Sequence, residues 1–317
     1  MPELTVQPFS EEHLDDAATL LTERHERHRE AEPALPANVD YRAEIETLWN
    51  AKERSGAVAL RGGELVGYLL GSHREDEVWG ANVWVEHAGH AVREPELVRD
   101  LYAASATEWL ERGFSRHYAM VPASDEELVD AWFRLSFGAQ HASGLQETPE
   151  STGPAPDGVV VRRATADDAD AIVQLDFTLP RHQELSPVFA PGPRYTEEES
   201  RADFLEEVED RGRAILVAEV DGRVVSGLVM VDVKESSLHS GLGRPDKAAF
   251  LGFAATLPEA RGTGAGLALT NAGLDWAREN GYPITVVDWR ETNLLASRFW
   301  PRRGFRRTFL RLYRSIP

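Results

Sequence analysis

Apolar residues are spaced so that short alternating stretches and longer helical ones follow one another, and the same order occurs twice. Leu4-Thr5-Val6 and Val159-Val160-Val161 each open a half as a short strand. Helical stretches follow from Ser10 and from Thr165, hydroxyl residues able to accept the first free backbone N–H groups of a helix. After an irregular segment, each half shows two alternating runs joined by a tight turn. In the first half these are Val58-Ala59-Leu60 and Leu65 to Leu69 around Gly62-Gly63. In the second they are Ile215 to Glu219 and Val224 to Val229 around Asp221-Gly222. Gly-Gly and Asp-Gly supply the positive φ that two-residue hairpin turns need.

Single positions recur as well. In the irregular segment, His28, Glu30, Pro33 and Tyr41 return as His182, Glu184, Pro187 and Tyr195, 154 residues later. Toward the ends of the halves the offset is 168, pairing Gly113 with Gly281, Asp125 with Asn293, and 131–137 with 299–305. The shared order predicts an internal duplication. Residues 1–141 form one domain and 159–317 the other, joined by 142–158, a linker rich in Pro, Gly, Ser and Thr.

Composition narrows the chemistry. At 317 residues, 42% hydrophobic and 27% charged, the chain can bury two cores, which excludes wholesale disorder. The absence of cysteine excludes disulfides, thiolate metal sites and a cysteine nucleophile. No apolar run approaches the roughly 18 residues of a membrane-spanning helix, and the N-terminus lacks a signal-peptide pattern. The expectation is a soluble cytoplasmic protein with no membrane partner.

The net charge of −19 is uneven. Residues 1–150 hold 13 Lys and Arg against 29 Asp and Glu, and residues 151–260 hold 11 against 20. Residues 261–317 reverse the balance, with 10 arginines against four acids. Such an acidic body repels nucleic acid, even with Arg302, Arg303, Arg306 and Arg307 clustered near its end. The basic segment suits a compact polyanion. His25 and His28, in a run of charged residues, have no further converging ligands and read as part of a solvated helix face; no metal site is expected.

The most informative stretch is Ala248 to Gly266. An apolar strand turns into Arg261-Gly262-Thr263-Gly264-Ala265-Gly266, and a helix follows through Leu267, Leu269, Leu274 and Trp276 to Gly281. Glycines let backbone N–H groups approach an oxygen-rich anion. The helix start adds free donors and the positive end of its dipole. Arg261 adds a full charge, and the combination suits a pyrophosphate. No Lys-Ser/Thr follows the glycines, so this is not a Walker loop, and its setting does not fit a dinucleotide fingerprint.

A strand follows, Ile284 to Trp289, then Asn293, Ala296, Phe299, Trp300, Gly304 and Phe305. With these residues, 159–317 resembles a GCN5-related N-acetyltransferase (GNAT) domain. Arg261 to Gly266 fits that family's Arg/Gln-x-x-Gly-x-Gly/Ala motif, Leu257-Pro258-Glu259 fits the end of its fourth strand, and Asn293 to Phe305 fits its Asn-x-x-Ala…Phe-Tyr-x-x-x-Gly-Phe pattern. The resemblance implies an α/β fold with a mixed, bent sheet, here a tandem duplication of the acyl-CoA N-acyltransferase (GNAT) fold. It implies acetyl-CoA as cosubstrate. Ala255, Thr256 and Leu257 would lie along the pantetheine and thioester, Arg261, Gly262, Thr263, Gly264, Ala265 and Gly266 around the pyrophosphate, and Asn293, Ser297 and Trp300 beside the arm. The resemblance also implies that the amine would attack the thioester directly and that a backbone N–H of the fourth strand would stabilise the oxyanion.

Trp300 stands where the family usually has the Tyr that protonates the leaving thiolate, and an indole does not give up a proton at neutral pH. Tyr313 and Ser297 are substitutes, unless coenzyme A leaves as the thiolate. For the general base, Asp288, His182 and Glu184 are the candidates, with Glu219 and Asp232 behind them and an ordered water chain as the other solution. In the first half, Arg93 falls on Arg261 but is followed by Glu94-Pro95-Glu96, which predicts a retained fold without the usual coenzyme site. The acidic balance favours a small cationic amine or a basic peptide as acceptor. A non-catalytic acyl-CoA-binding or regulatory module is the alternative, and the oligomeric state stays open.

Overall fold

The computed structural model describes residues 3–76 and 79–317. The chain forms two compact units. One comprises the described residues up to Ser143 together with Ser240–Arg244 and Arg307–Pro317; the other comprises Gly144–His239 and Pro245–Arg306.

In the first unit the order is β1 (Leu4–Pro8), α1 (Leu14–Ala31), α2 (Tyr41–Trp49), β2 (Arg54–Arg61), β3 (Glu64–Asp76), β4 (Gly80–Val85), β5 (His90–Val92), α3 (Leu97–Glu111), β6 (Arg116–Pro122), α4 (Glu126–Phe133) and β7 (Gly138–Glu147), whose residues from Gly144 belong to the second unit. The second unit continues with β8 (Val159–Arg163), α5 (Ala169–Glu184), α6 (Glu197–Glu207), β9 (Ala214–Val220), β10 (Arg223–Asp232), β11 (Ala248–Thr256), α7 (Ala265–Glu279), β12 (Ile284–Arg290) and α8 (Ala296–Phe299). A last strand, β13 (Arg306–Ser315), crosses the division at Arg307. Apart from β5, which has no counterpart between β11 and α7, the strand and helix order of the first half recurs in the second.

Its local causes are also duplicated. Ser10 and His13 form a capping box before α1, and Thr165 and Asp168 form one before α5. Gly62-Gly63 and Asp221-Gly222 turn the two hairpins with positive φ throughout. Asp125 caps α4 by accepting from the Leu128 N–H at 3.0 Å.

The first unit's sheet runs β1-β2-β3-β4-β6-β13, with β5 also on β3. Only β4 and β6 pair in parallel. The expected family arrangement ends with a domain's own last strand. Here β13 instead pairs antiparallel with β6, from Phe309 against Pro122 to Ser315 against Arg116. The stretch 307–317 thus completes the first unit rather than the second. The expected linker also differs, because 142–147 is strand.

The helix face around His25 and His28 is not solvated. Leu14, Ala17, Leu20, Leu21, Arg24, His25 and His28 form one buried stripe of α1, and both histidines are at most 3% exposed. The Arg24 guanidinium donates to the carbonyls of His87 and His90, and the His90 ring donates through Nε2 to the Met120 carbonyl at 3.0 Å. Burial pushes His25 down to about 4 and His28 and His90 to about 3, so all three are neutral near pH 7.

The second unit's sheet runs β8-β9-β10-β11-β12, antiparallel except for β11 and β12. Leu175 of α5 packs with Ala255 and Leu257, which fixes α5 beneath the end of β11. His182 and Glu184, expected in an irregular segment, occupy the last turn of α5, as His28 and Glu30 lie within α1. The connecting segment is docked along α7. Thr152 donates to Asp275 at 2.7 Å, Asn271 to the Gly153 carbonyl at 3.0 Å, and Arg278 to the Glu150 carbonyl at 2.8 Å.

Candidate active site

Strands β11 and β12 pair over only four residues each, Ala248–Leu251 against Ile284–Val287. Beyond that they part. β11 is kinked there by an extra residue, since Val229 faces Phe253 but Met230 faces Leu251, leaving Gly252 as a bulge. The Leu257 N–H returns to β10, bonding the Val225 carbonyl at 2.9 Å. Alternation along the strand then turns the N–H and C=O of Ala254 and Thr256 toward the open side. A segment of sheet edge is thus exposed inside the fold, ready to bond an extended, amide-bearing ligand.

A cleft of about 490 Å³ occupies the fork. Ser226, Ala254, Ala255 and Thr256 form its strand wall, and Arg261, Gly262, Gly264, Ala265 and Gly266 its loop wall. Thr178, Leu179 and His182 reach it from α5, and Asn293, Leu295, Phe299, Trp300 and Arg303 close the other side. Gly262 and Gly264 have φ near +87° and +89°, a conformation that favours glycine, and Gly264 is the residue from which α7 starts. A Cβ on Gly264 would stand 2.6 Å from the Pro156 ring, so the docked segment reaches the loop as well.

The structure brings together most of the residues expected at the cofactor: Ala255, Thr256, Arg261, Gly262, Gly264, Ala265, Gly266, Asn293 and Trp300 line the cleft. Leu257, Thr263 and Ser297 do not. Leu257 is buried in the core beneath β11, with its N–H already used. Thr263 is exposed, and its hydroxyl is taken up by the Ala260 carbonyl, to which it donates at 2.8 Å. Of the base candidates only His182 lines the cleft. Asp288 is the first residue of β12 past the fork, half-buried and outside the lining; Glu184 is exposed at the helix end. Glu219 pairs with Arg162, and Asp232 accepts from the Lys234 N–H and the Tyr282 hydroxyl. Tyr313 belongs to the first unit, stacked 4.9 Å from Tyr118.

Trp300 is a wall, 7% exposed and edge-on to Phe299 and Phe305. Arg303 escaped the sequence reading, which placed it in a surface patch. Its guanidinium lies 4.7 Å over the Phe299 ring, and its buried Nε has no hydrogen-bond partner. With Arg261 it gives the cleft two cations.

Residues 179–305 match the model of the acetyltransferase (GNAT) family. This part of the chain belongs to the GNAT acetyltransferase family. The match spans the cleft from α5 to Phe305. Among solved structures, the GCN5-related N-acetyltransferase from Sphaerobacter thermophilus is 14% identical, with a TM-score of 0.56, over 98% of this chain and 95% of its own. A fungal GCN5-related glucosamine N-acetyltransferase region within a multi-domain β-N-acetylglucosaminidase is 15% identical at a TM-score of 0.54, over 99% of this chain and 38% of that one. Both likenesses extend over the two units, so the GNAT fold occurs twice in tandem. None of the curated proteins matches the sequence.

In the first GNAT unit, β4 and β6 also pair over four residues and also part. There the His90 ring sits against Met120 of β6, the Arg24 guanidinium lies beside it, and Trp132 stands edge-on to His90 at 5.8 Å. At the start of α3, Glu94 pairs with Arg61 and Glu96 with Arg99 and Arg134. The hollow beside them is lined by Glu94, Glu96, Glu126, Glu127 and Asp130 against one cation, Arg134. Among the described residues no group of three His, Cys, Asp or Glu is placed to hold a metal ion, and no helix is long and apolar enough to cross a membrane.

Proposed function

We propose that the second unit binds acetyl-CoA in the cleft and transfers its acetyl group to an amine. The fork of β11 and β12 carries this reading, since it opens strand N–H and C=O groups directly beside a glycine-rich helix start. The pantetheine arm lies along Ala254 to Thr256, completing the sheet edge. The pyrophosphate lies at Gly262 to Gly266, where the helix N-terminus and Arg261 meet its charge. The amine attacks the thioester carbonyl. The oxyanion that develops is met by an N–H of β11 on the open side, a donor already held in place by the strand.

The acceptor in this reading is a small cationic amine or a basic peptide. The α5–α6 stretch, 169–211, reaches the cleft at Thr178 to His182 and carries eleven acidic residues against four basic ones, a field that draws cations. The first unit binds no acetyl-CoA: its fork holds His90 and Arg24, and its helix start is ringed by carboxylates.

Calorimetry with coenzyme A tests the site. Arg261→Glu is expected to weaken binding at least tenfold, about 1.4 kcal/mol, with unchanged circular dichroism. Wild-type protein giving no binding heat would refute the proposal. Coenzyme A release against polyamines, aminoglycosides, amino acids and basic peptides tests the acceptor; turnover confined to neutral or anionic acceptors would refute that part. Binding without transfer to any amine would leave a coenzyme-binding module.

A further inference from the structure

Asn293 and His182 meet in the cleft, and the bond between them fixes which ring nitrogen holds the hydrogen. Asn293 is 3% exposed. Its Oδ1 accepts from the backbone N–H groups of Leu295 at 3.1 Å and Ala296 at 3.4 Å, which identifies that atom as the oxygen. His182 Nε2 lies 3.3 Å from the same oxygen. An amide oxygen only accepts, so Nε2 carries the hydrogen. In the neutral ring the lone pair is then on Nδ1, to which no described protein group is bonded. Trp300 also lines the cleft, and its indole does not give up a proton at neutral pH; Asp288 and Glu184 stay outside the lining.

We propose that His182 is the proton carrier of the transfer and that Asn293 is its positioning residue. The inference rests on the acetyl-transfer reading above. As the amine nitrogen bonds to the thioester carbon, Nδ1 takes the proton that nitrogen must lose. As the C–S bond breaks, the same proton passes from Nδ1 to the departing sulfur. Amine and acetyl-CoA become amide and coenzyme A thiol, and the imidazole returns to its starting state with no other reactant. One side chain thereby serves as base and then as acid. Trading Nε2–H for a bond to a fixed amide oxygen keeps the ring from flipping between the two steps.

His182's own helix carries Asp170, Asp176, Arg181 and Glu184; α6 carries Glu197, Glu198, Glu199, Arg201, Asp203, Glu206 and Glu207, with Glu197 paired to Arg181; Asp288, Arg290 and Glu291 lie on or just after β12. Arg261 and Arg303 are in the cleft lining. Arg290 donates to Gln183 at 3.0 Å, and Arg181 lies over the Phe177 ring.

The experiment combines NMR of ¹⁵N-histidine protein with kinetics on acetyl-CoA and spermidine. The His182 ring, assigned by its loss in His182→Gln, is expected in the Nε2–H form at pH 8. Asn293→Asp retains an oxygen for the Leu295 and Ala296 N–H groups but places a carboxylate on the ring. It should move the acidic limb of kcat/KM up by about one pH unit. A residue that only shapes the cleft would leave that limb where it was. His182→Gln should lower kcat by about 10²–10³ and abolish the limb while coenzyme A affinity stays within about threefold. An Nδ1–H ring, or a His182→Gln enzyme with near-normal kcat and an intact limb, overturns the assignment. Failure of the broader reading looks different: wild-type protein then shows no heat with coenzyme A.

Discussion

Gly264→Ala probes the backbone geometry on which the loop depends. The glycine has φ +89°, and a Cβ there stands 2.6 Å from Pro156 Cγ. Forcing an L side chain into the left-handed region costs about 1–2 kcal/mol, and relieving the contact with the proline ring adds roughly 1 kcal/mol, as overpacking does. Against this, alanine lowers the entropy of the unfolded chain by about 0.4–1 kcal/mol. The net loss is about 1–2.6 kcal/mol, or about 2–10 °C in melting temperature for a unit of this size. Gly266→Ala is the internal control. That glycine lies within α7, its Cβ would meet only Thr256 Oγ1 at 3.3 Å, and alanine favours the helix by about 1 kcal/mol. Its melting temperature should match or exceed wild type. Adding Pro156→Ala to Gly264→Ala should recover the part due to crowding and leave the part due to φ. Melting curves followed by circular dichroism decide the matter; Gly264→Ala within 1 °C of wild type refutes the reasoning. The same geometry makes Gly264→Glu a poor test of coenzyme binding, since it strains the loop before any ligand arrives.

Two further outcomes concern pH and the cleft wall. Burial holds His28 and His90 near 3 and His117 near 4, so between about pH 6.5 and those values the unfolded chain binds protons that the folded one does not. Their stabilisation is complete above about 6.5 and falls as the pH falls, by at most about 1.4 kcal/mol per pH unit for each histidine. The urea midpoint should therefore be lower at pH 5 than at pH 7, and equal midpoints would count against the buried cluster. Trp300→Phe keeps an apolar wall against Phe299 and Phe305 and should leave kcat within about threefold; a hundredfold loss would give the indole a part in proton transfer.

What the sequence made legible was local chemistry. Ser10 and Thr165 announced their helices, Gly62-Gly63 and Asp221-Gly222 their hairpins, and Arg261 to Gly266 the loop at the fork. The misread places are those where a residue's type hid its position. Arg24, His25 and His28 continue the spacing of Leu14, Ala17 and Leu21, so the buried stripe was present in the pattern, but charged and polar identities made it look like a surface. The connecting segment has the composition of a linker, yet its carbonyls at Glu150 and Gly153 are held by α7, and composition says nothing about carbonyl partners. His182 was one candidate among several because the bond that singles it out joins residues 111 positions apart.

The placement of β13 has a consequence for how the molecule is made. Residues 116–122 present an edge that is closed only by 309–315, almost two hundred positions further along. During synthesis the first unit waits, its sheet unfinished, until 307–317 have left the ribosome, so the half translated first is among the last to be sealed. Until then the bare edge of β6 is a pairing surface open to other chains. A stop codon near residue 306 would spare every residue of the cleft and yet damage the opposite half of the protein.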